Sequence, residues 1–115
     1  MMGTATGVRI SDCRGAVQRL MQVSEDDMLR HSTERQYSSP RQMAMVLARE
    51  FTGASLATIG RHFRRDHSTV LHAIRRVAAA ETANPDFKIT MDGLRRVLTE
   101  QGSGTSEAKQ KRHAP

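Results

Sequence analysis

Asp66, His67, Ser68 and Thr69 set a carboxylate, an imidazole and two hydroxyls side by side in the chain. These are the residue types of a hydrolytic triad, but consecutive side chains point in different directions and cannot line up as a proton relay. A zinc site fails on ligand number. His62, His67 and His72 recur at intervals of five, which turns His67 and His72 about 140° apart around a helix, and no cysteine or paired acid joins them. The quartet therefore points away from catalysis and from metals, and toward hydrogen bonding. Short polar groups in the first turn of a helix suit base edges in a groove, because His, Ser and Thr donate or accept and the threonine methyl can meet a thymine methyl. Asp66 also suits the cap of that same helix, a purely local role.

The charge around the quartet supports an anionic partner. Between residues 61 and 76 stand Arg61, Arg64, Arg65, Arg75 and Arg76 against the single acid Asp66. From residue 24 to 36 the balance is reversed, with Glu25, Asp26, Asp27 and Glu34 against Arg30 and Arg35. A charge run alone is often a solvated face, so its placement carries the argument. Arg64 and Arg65 immediately precede the quartet, where free N–H groups and the positive end of a helix favour phosphate. The whole chain has a formal charge of +6, again favouring nucleic acid or another anionic surface.

The elements that must hold these residues read as helices. With 115 residues there is room for one domain, and with no Trp, one Tyr and three Phe its core must come from aliphatics and the seven methionines. Met43 and Met45 read as such packing. Residues 1–7 and 102–115 are expected to be disordered, the latter a basic tail through Lys109, Lys111 and Arg112, leaving an ordered unit over 8–101. Cys13 stands alone, so no disulfide forms within the chain. No stretch approaches the ~18 apolar residues of a membrane span and no secretory leader is evident, so a cytoplasmic, nucleoid-associated protein is expected.

Within 8–101, Ser11-Asp12 can cap a helix with Ala16, Val17, Leu20 and Met21 inward, and Ser24 opens a short turn through Met28 and Leu29. Residues 31–38 form an aperiodic polar bridge. Ser39-Pro40 marks the start of a long helix with Met43, Val46, Leu47 and Phe51 on one face, ended by Gly53. Ser55 caps a two-turn helix carrying Leu56, Ile59 and Phe63. A tight turn then leads to a helix with Val70, Leu71, Ile74, Val77 and Ala78, stopped at Asn84-Pro85. This pair is the outline of a helix-turn-helix whose second helix is offered to the major groove. A last helix from about Asp86 carries Phe87, Leu94, Val97 and Leu98.

Three stretches, Pro40-Arg41-Gln42-Met43-Ala44-Met45, Ser55-Leu56 through Ile59-Gly60, and Arg65-Asp66-His67-Ser68-Thr69-Val70-Leu71-His72-Ala73, closely resemble the C-terminal duplex-binding domain of the bacterial chromosomal replication initiator DnaA. The resemblance spans about residues 8–98. It implies an all-α, Trp-repressor-like domain of five or six helices that binds a nine-base-pair box. It further implies that Asp66, His67, Ser68 and Thr69 face bases, with Arg65 as the signature arginine before them. Arg41 and Gln42 would approach the minor groove and backbone, Arg49 would lie on the phosphates, and the start of the helix at Ser55 and Leu56 would offer amides to another phosphate. Arg35 falls where the family carries arginines that enter the minor groove.

Three departures accompany the match. The turn Phe63-Arg64-Arg65-Asp66 is one residue shorter than the family's usual Phe-Gly-Gly-Arg-Asp. Thr33, Ser38 and Ser39 stand where arginine or other residues are common. No Walker A sequence occurs, so the initiator's ATPase module is missing from this sequence and no nucleotide or other cofactor is expected. The expectation is a non-enzymatic, monomeric, sequence-specific binder of double-stranded DNA that regulates replication or transcription. The alternative is a small basic helical adaptor for an acidic protein.

Overall fold

In the computed structural model the described residues, 7–30 and 35–103, form six helices and no strand. These are α1 (Ile10–Met21), α2 (Glu25–Leu29), α3 (Arg35–Thr52), α4 (Leu56–Phe63), α5 (His67–Ala83) and α6 (Pro85–Ser103). Of residues 35–38 and 103 the backbone alone is described, so expectations for the Arg35 side chain, like those for 1–6, 31–34 and 104–115, lie outside the described residues.

Met43 to Ala48 are buried without a break, whereas a helix resting on a surface buries only one stripe. Accordingly α1, α2, α4, α5 and α6 all pack on α3. The start of α3 departs from the sequence-based expectation. It begins by Arg35 rather than at Ser39-Pro40, and Pro40 lies in its second turn. The proline ring is fully buried, and that burial offsets the backbone bond a proline cannot donate.

Local chemistry sets the other ends. Ser24 Oγ accepts the Asp27 N–H at 3.1 Å, Ser55 Oγ accepts the Thr58 N–H at 3.1 Å, and Asn84 Oδ1 accepts the Asp86 N–H at 3.0 Å with Pro85 in the first helical position. Gly53, at φ 69°, ends α3 in the left-handed region as its sequence position suggests. At α1 the cap is different from the expected Ser11-Asp12. Arg9 takes the cap position and its N–H donates to the Asp12 carboxylate at 2.8 Å, so the helix starts a turn earlier and buries Ile10 and Cys13. Burial, then the charges of Asp12 and Glu50, push the Cys13 thiol up to about 12, which leaves it an inert packing group.

Among the described residues four large apolar side chains are exposed, three of them expected inside the core. Leu20 and Met21 are exposed because α1 runs one turn beyond Val17, its last buried residue, and Ile89 and Val97 are exposed on α6. Leu20, Ile89, Gly93 and Val97 line an open apolar cleft of about 490 Å³ between α1 and α6. Ala78 also faces solvent. The last helix extends through Ser103, past the expected limit at Gln101, and closes the core with Met91, Leu94 and Leu98.

Candidate nucleic-acid interface

The turn between α4 and α5 depends on one glycine and one strained arginine. Arg65 N–H donates to Gly60 O at 2.8 Å, an approach so close that a Cβ on Gly60 would collide with the Arg65 carbonyl. Arg64 sits at φ 59°, ψ 43°, a conformation that costs a side-chain-bearing residue roughly 1–2 kcal/mol relative to glycine's freedom. The shortened turn is thus closed by forcing an arginine where a glycine is more comfortable. Ile59 and Phe63 anchor α4 below it, both fully buried.

Beyond the turn, Asp66, His67, Ser68 and Thr69 are all exposed in the first turn of α5, while Val70, Ala73 and Val77 are buried beneath them. Asp66 caps the helix through Oδ1, which accepts from the Ser68 hydroxyl at 2.8 Å, the Thr69 N–H at 3.0 Å and the Thr69 hydroxyl at 3.0 Å. The Ser68 hydroxyl first, then the two Thr69 donors, hold its carboxyl below the usual carboxylate range. A hydroxyl has one proton. With both protons committed to Asp66, Ser68 and Thr69 turn lone pairs outward, an arrangement suited to amino groups on adenine N6 or cytosine N4.

Arg75 and Arg76 stood in the basic run of the sequence, but neither they nor His72 were assigned there to the outward face of α5. Ser68, His72 and Arg75 follow at i, i+4 and i+7, all exposed and opposite the buried Val70, Ala73 and Val77, with Arg76 exposed alongside. That spacing was the available signal, since each position follows from fixing Val70 as inward. Arg64 is exposed at the turn, and none of Arg64, Arg75 and Arg76 has an ion pair among the described residues.

The residues expected on the phosphates or in the minor groove divide into two groups. Arg49 is exposed at the end of α3, donating to Ala54 O at 2.6 Å, and Ser55 is exposed at the start of α4, where it also donates to Thr58 Oγ1 at 3.0 Å. Leu56 and Gln42 are half-buried. Arg41 and Arg65 go the other way. Arg41 is 5% exposed and its Nη1 donates to Met28 O at 3.3 Å and Arg30 O at 3.1 Å, because the carbonyls ending α2 face α3 there. Arg65 folds back on its own turn, donating to Phe63 O at 3.0 Å, Arg64 O at 3.1 Å and Arg30 O at 2.6 Å. Burial and then the Arg65 charge pull the Arg41 guanidinium down to about 10, and burial lowers Arg65 as well. Both guanidinium groups are engaged by backbone carbonyls of the fold.

Among the described residues no cluster of three or more His, Cys, Asp or Glu side chains is arranged to hold a metal ion. Among the same residues no helix is long and apolar enough to cross a membrane.

A family model described as the bacterial DnaA protein helix-turn-helix matches residues 10–77, which run from the first residue of α1 into α5 and include the whole of the turn. The chain belongs to the bacterial DnaA helix-turn-helix family. DNA binding through that motif is the function that membership carries. Chromosomal replication initiator protein DnaA of Bartonella quintana is 37% identical over 102 residues, covering 88% of this chain and 21% of the relative. The DnaA of Brucella abortus is 36% identical over the same length, and that of Desulfotalea psychrophila 41% over 75 residues, covering 65% of this chain and 16% of the relative. The chain thus spans about a fifth of the length of the DnaA relatives it matches.

Proposed function

We propose that this DnaA-family chain binds a specific double-stranded site of DnaA-box type and thereby regulates replication or transcription, with recognition residing in this helix-turn-helix and no nucleotide required for it. The observation that carries the reading is the exposed quartet at the start of α5, with the exposed Arg64, Arg75 and Arg76 beside it. Asp66 acts as cap and as organiser of the Ser68 and Thr69 hydroxyls, and His67 offers ring nitrogens to a base edge. Arg49, the amides at Ser55 and Leu56, and the exposed arginines supply the phosphate contacts that fix register without reading sequence. Binding as a monomer follows from the lack of a long heptad seam. The protein is then a competitor for, or a partner at, sites used by full-length initiators.

Selection from randomised duplexes with wild type, His67→Ala and Thr69→Ala tests this directly. Wild type should enrich one short motif, and each substitution should relax a position of it, with discrimination against the wrong base falling by about 1–3 kcal/mol where a bidentate pair is removed. Failure of the wild-type chain to enrich any motif sinks the reading. The protein-adaptor alternative predicts that outcome together with a salt dependence far shallower than the log–log slope of about −5 expected when some six phosphates are neutralised.

A further inference from the structure

Three parts of the fold meet on one carbonyl. Arg30 O, just past the end of α2, accepts from Arg41 of α3 at 3.1 Å and from Arg65 of the turn at 2.6 Å. Arg41 also holds Met28 O, and Arg65 also holds Phe63 O and Arg64 O, so each guanidinium bridges backbone carbonyls. Asp66, the cap of α5, follows Arg65 directly. The orientation of the exposed quartet is therefore tied, through one side chain, to the end of α2 and from there to the central helix. Apart from that side chain, the Arg65 N–H to Gly60 O bond and the buried Phe63 hold the turn.

We propose that Arg65 is a positioning residue for base recognition, a clasp that fixes the pitch of α5 against α2 and α3, and is not itself a phosphate ligand. This rests on the reading of α5 as the base-reading helix and adds a role that its position before the quartet does not suggest, since an arginine there is the obvious candidate for phosphate. The chemistry separates the two roles. A phosphate contact needs a positive point charge, which lysine also provides; spanning three carbonyls in two directions needs the planar five-donor fork, which lysine lacks.

The experiment uses the full chain with Arg65→Lys, Arg65→Ala and, as a contrast, Arg64→Ala, each checked for folding by circular dichroism. Duplex affinity is measured on the selected motif and on a scrambled duplex over a range of salt. For a clasp, Arg65→Lys and Arg65→Ala both lower the ratio of specific to scrambled binding by about tenfold, the scale of one charge-assisted hydrogen bond. The salt slope stays unchanged. For a phosphate ligand, Arg65→Lys retains the ratio and Arg65→Ala flattens the slope by ~0.9, as Arg64→Ala is expected to do; that pattern overturns the proposal. Should the variants unfold, nitrogen-15 resonances of the wild-type guanidinium decide. Arg65 Nη signals that are unmoved by duplex support the clasp, and signals that shift as a phosphate contact forms refute it. If wild type itself shows no preference between motif and scrambled duplex, the function proposed above has failed, an outcome distinct from either pattern at Arg65.

Discussion

Near the C-terminal end of α5, Arg95 of α6 grips Glu81 at 2.8 Å, Glu50 of α3 at 2.9 Å and Asp92 at 2.8 Å. At the middle of the same helix Arg75 and Arg76, and in the turn before it Arg64, are exposed and form no ion pair among the described residues. The first arrangement neutralises its charge within the fold; its carboxylate bonds, led by Glu81 and Glu50, raise the already high pKa of Arg95 further. The second leaves like charges facing water, where their mutual repulsion opposes the compact state. Arginines without an ion pair among the described residues, at the middle of α5 and in the turn before it, carry charge that an anionic partner would neutralise. The comparison also locates stability and recognition on different residues, which makes them separable by substitution.

Arg95→Ala should give the larger stability effect. The Arg95 and Glu81 side chains are 25% and 15% exposed, between the surface pairs that contribute little and the buried ones whose breakage costs several kcal/mol, so a destabilisation of about 2 kcal/mol is expected by thermal or urea unfolding. The salt slope of duplex binding should not move. A slope change as large as that of a phosphate contact would erase the distinction between the two regions. Arg64→Gly should do the reverse: relief of the left-handed backbone, less glycine's own chain entropy, stabilises by about 1 kcal/mol, while removal of an exposed cation flattens the salt slope by ~0.9. A destabilised Arg64→Gly protein would mean that the arginine side chain, not its charge, is what the turn requires.

The sequence disclosed what depends on near neighbours. Ser24, Ser55 and Gly53 could be assigned because a cap or a left-handed stop is a matter of two or three residues, and the outward placement of Asp66 to Thr69 followed from Val70 turning inward. It did not disclose where long cationic side chains turn. Arg41 and Arg65 bond carbonyls 11 to 35 residues away, and nothing in the spacing of an arginine marks it for a distant carbonyl rather than for solvent. The wider Arg95 cluster was hidden for the same reason, two of its three acids lying 14 and 45 residues upstream. Leu20 and Met21 carry helical periodicity but run past the elements that would cover them, a question of relative helix length that periodicity does not address, while Val97 is exposed beside the buried Leu98. Pro40 broke the rule for the opposite reason, its burial in the core outweighing its effect on the backbone.

Acid sensitivity gives the finest test, because each region contains one carboxylate with a depressed pKa: Asp66 through Ser68 and Thr69, and Asp92 through Lys88 and Arg95. A group whose folded pKa is below its unfolded value of about 3.9 contributes stability that is complete above that value and is lost as pH falls through the folded one. Both contributions are therefore constant at neutral pH and fade only below about pH 4. Asparagine caps a helix about as well as aspartate but does not titrate, so Asp66→Asn should keep α5 starting at His67 while removing the pH dependence there. The Thr69 amide proton reports this directly: its chemical shift should titrate in wild type with a midpoint below the ordinary carboxylate value and remain flat in Asp66→Asn. Asp92→Asn should leave the Thr69 titration untouched, since its partners belong to the other region. A Thr69 midpoint at or above the ordinary value would show that the hydroxyls of Ser68 and Thr69 do not share the Asp66 oxygen, and the outward lone pairs on which amino-group recognition depends would go with it.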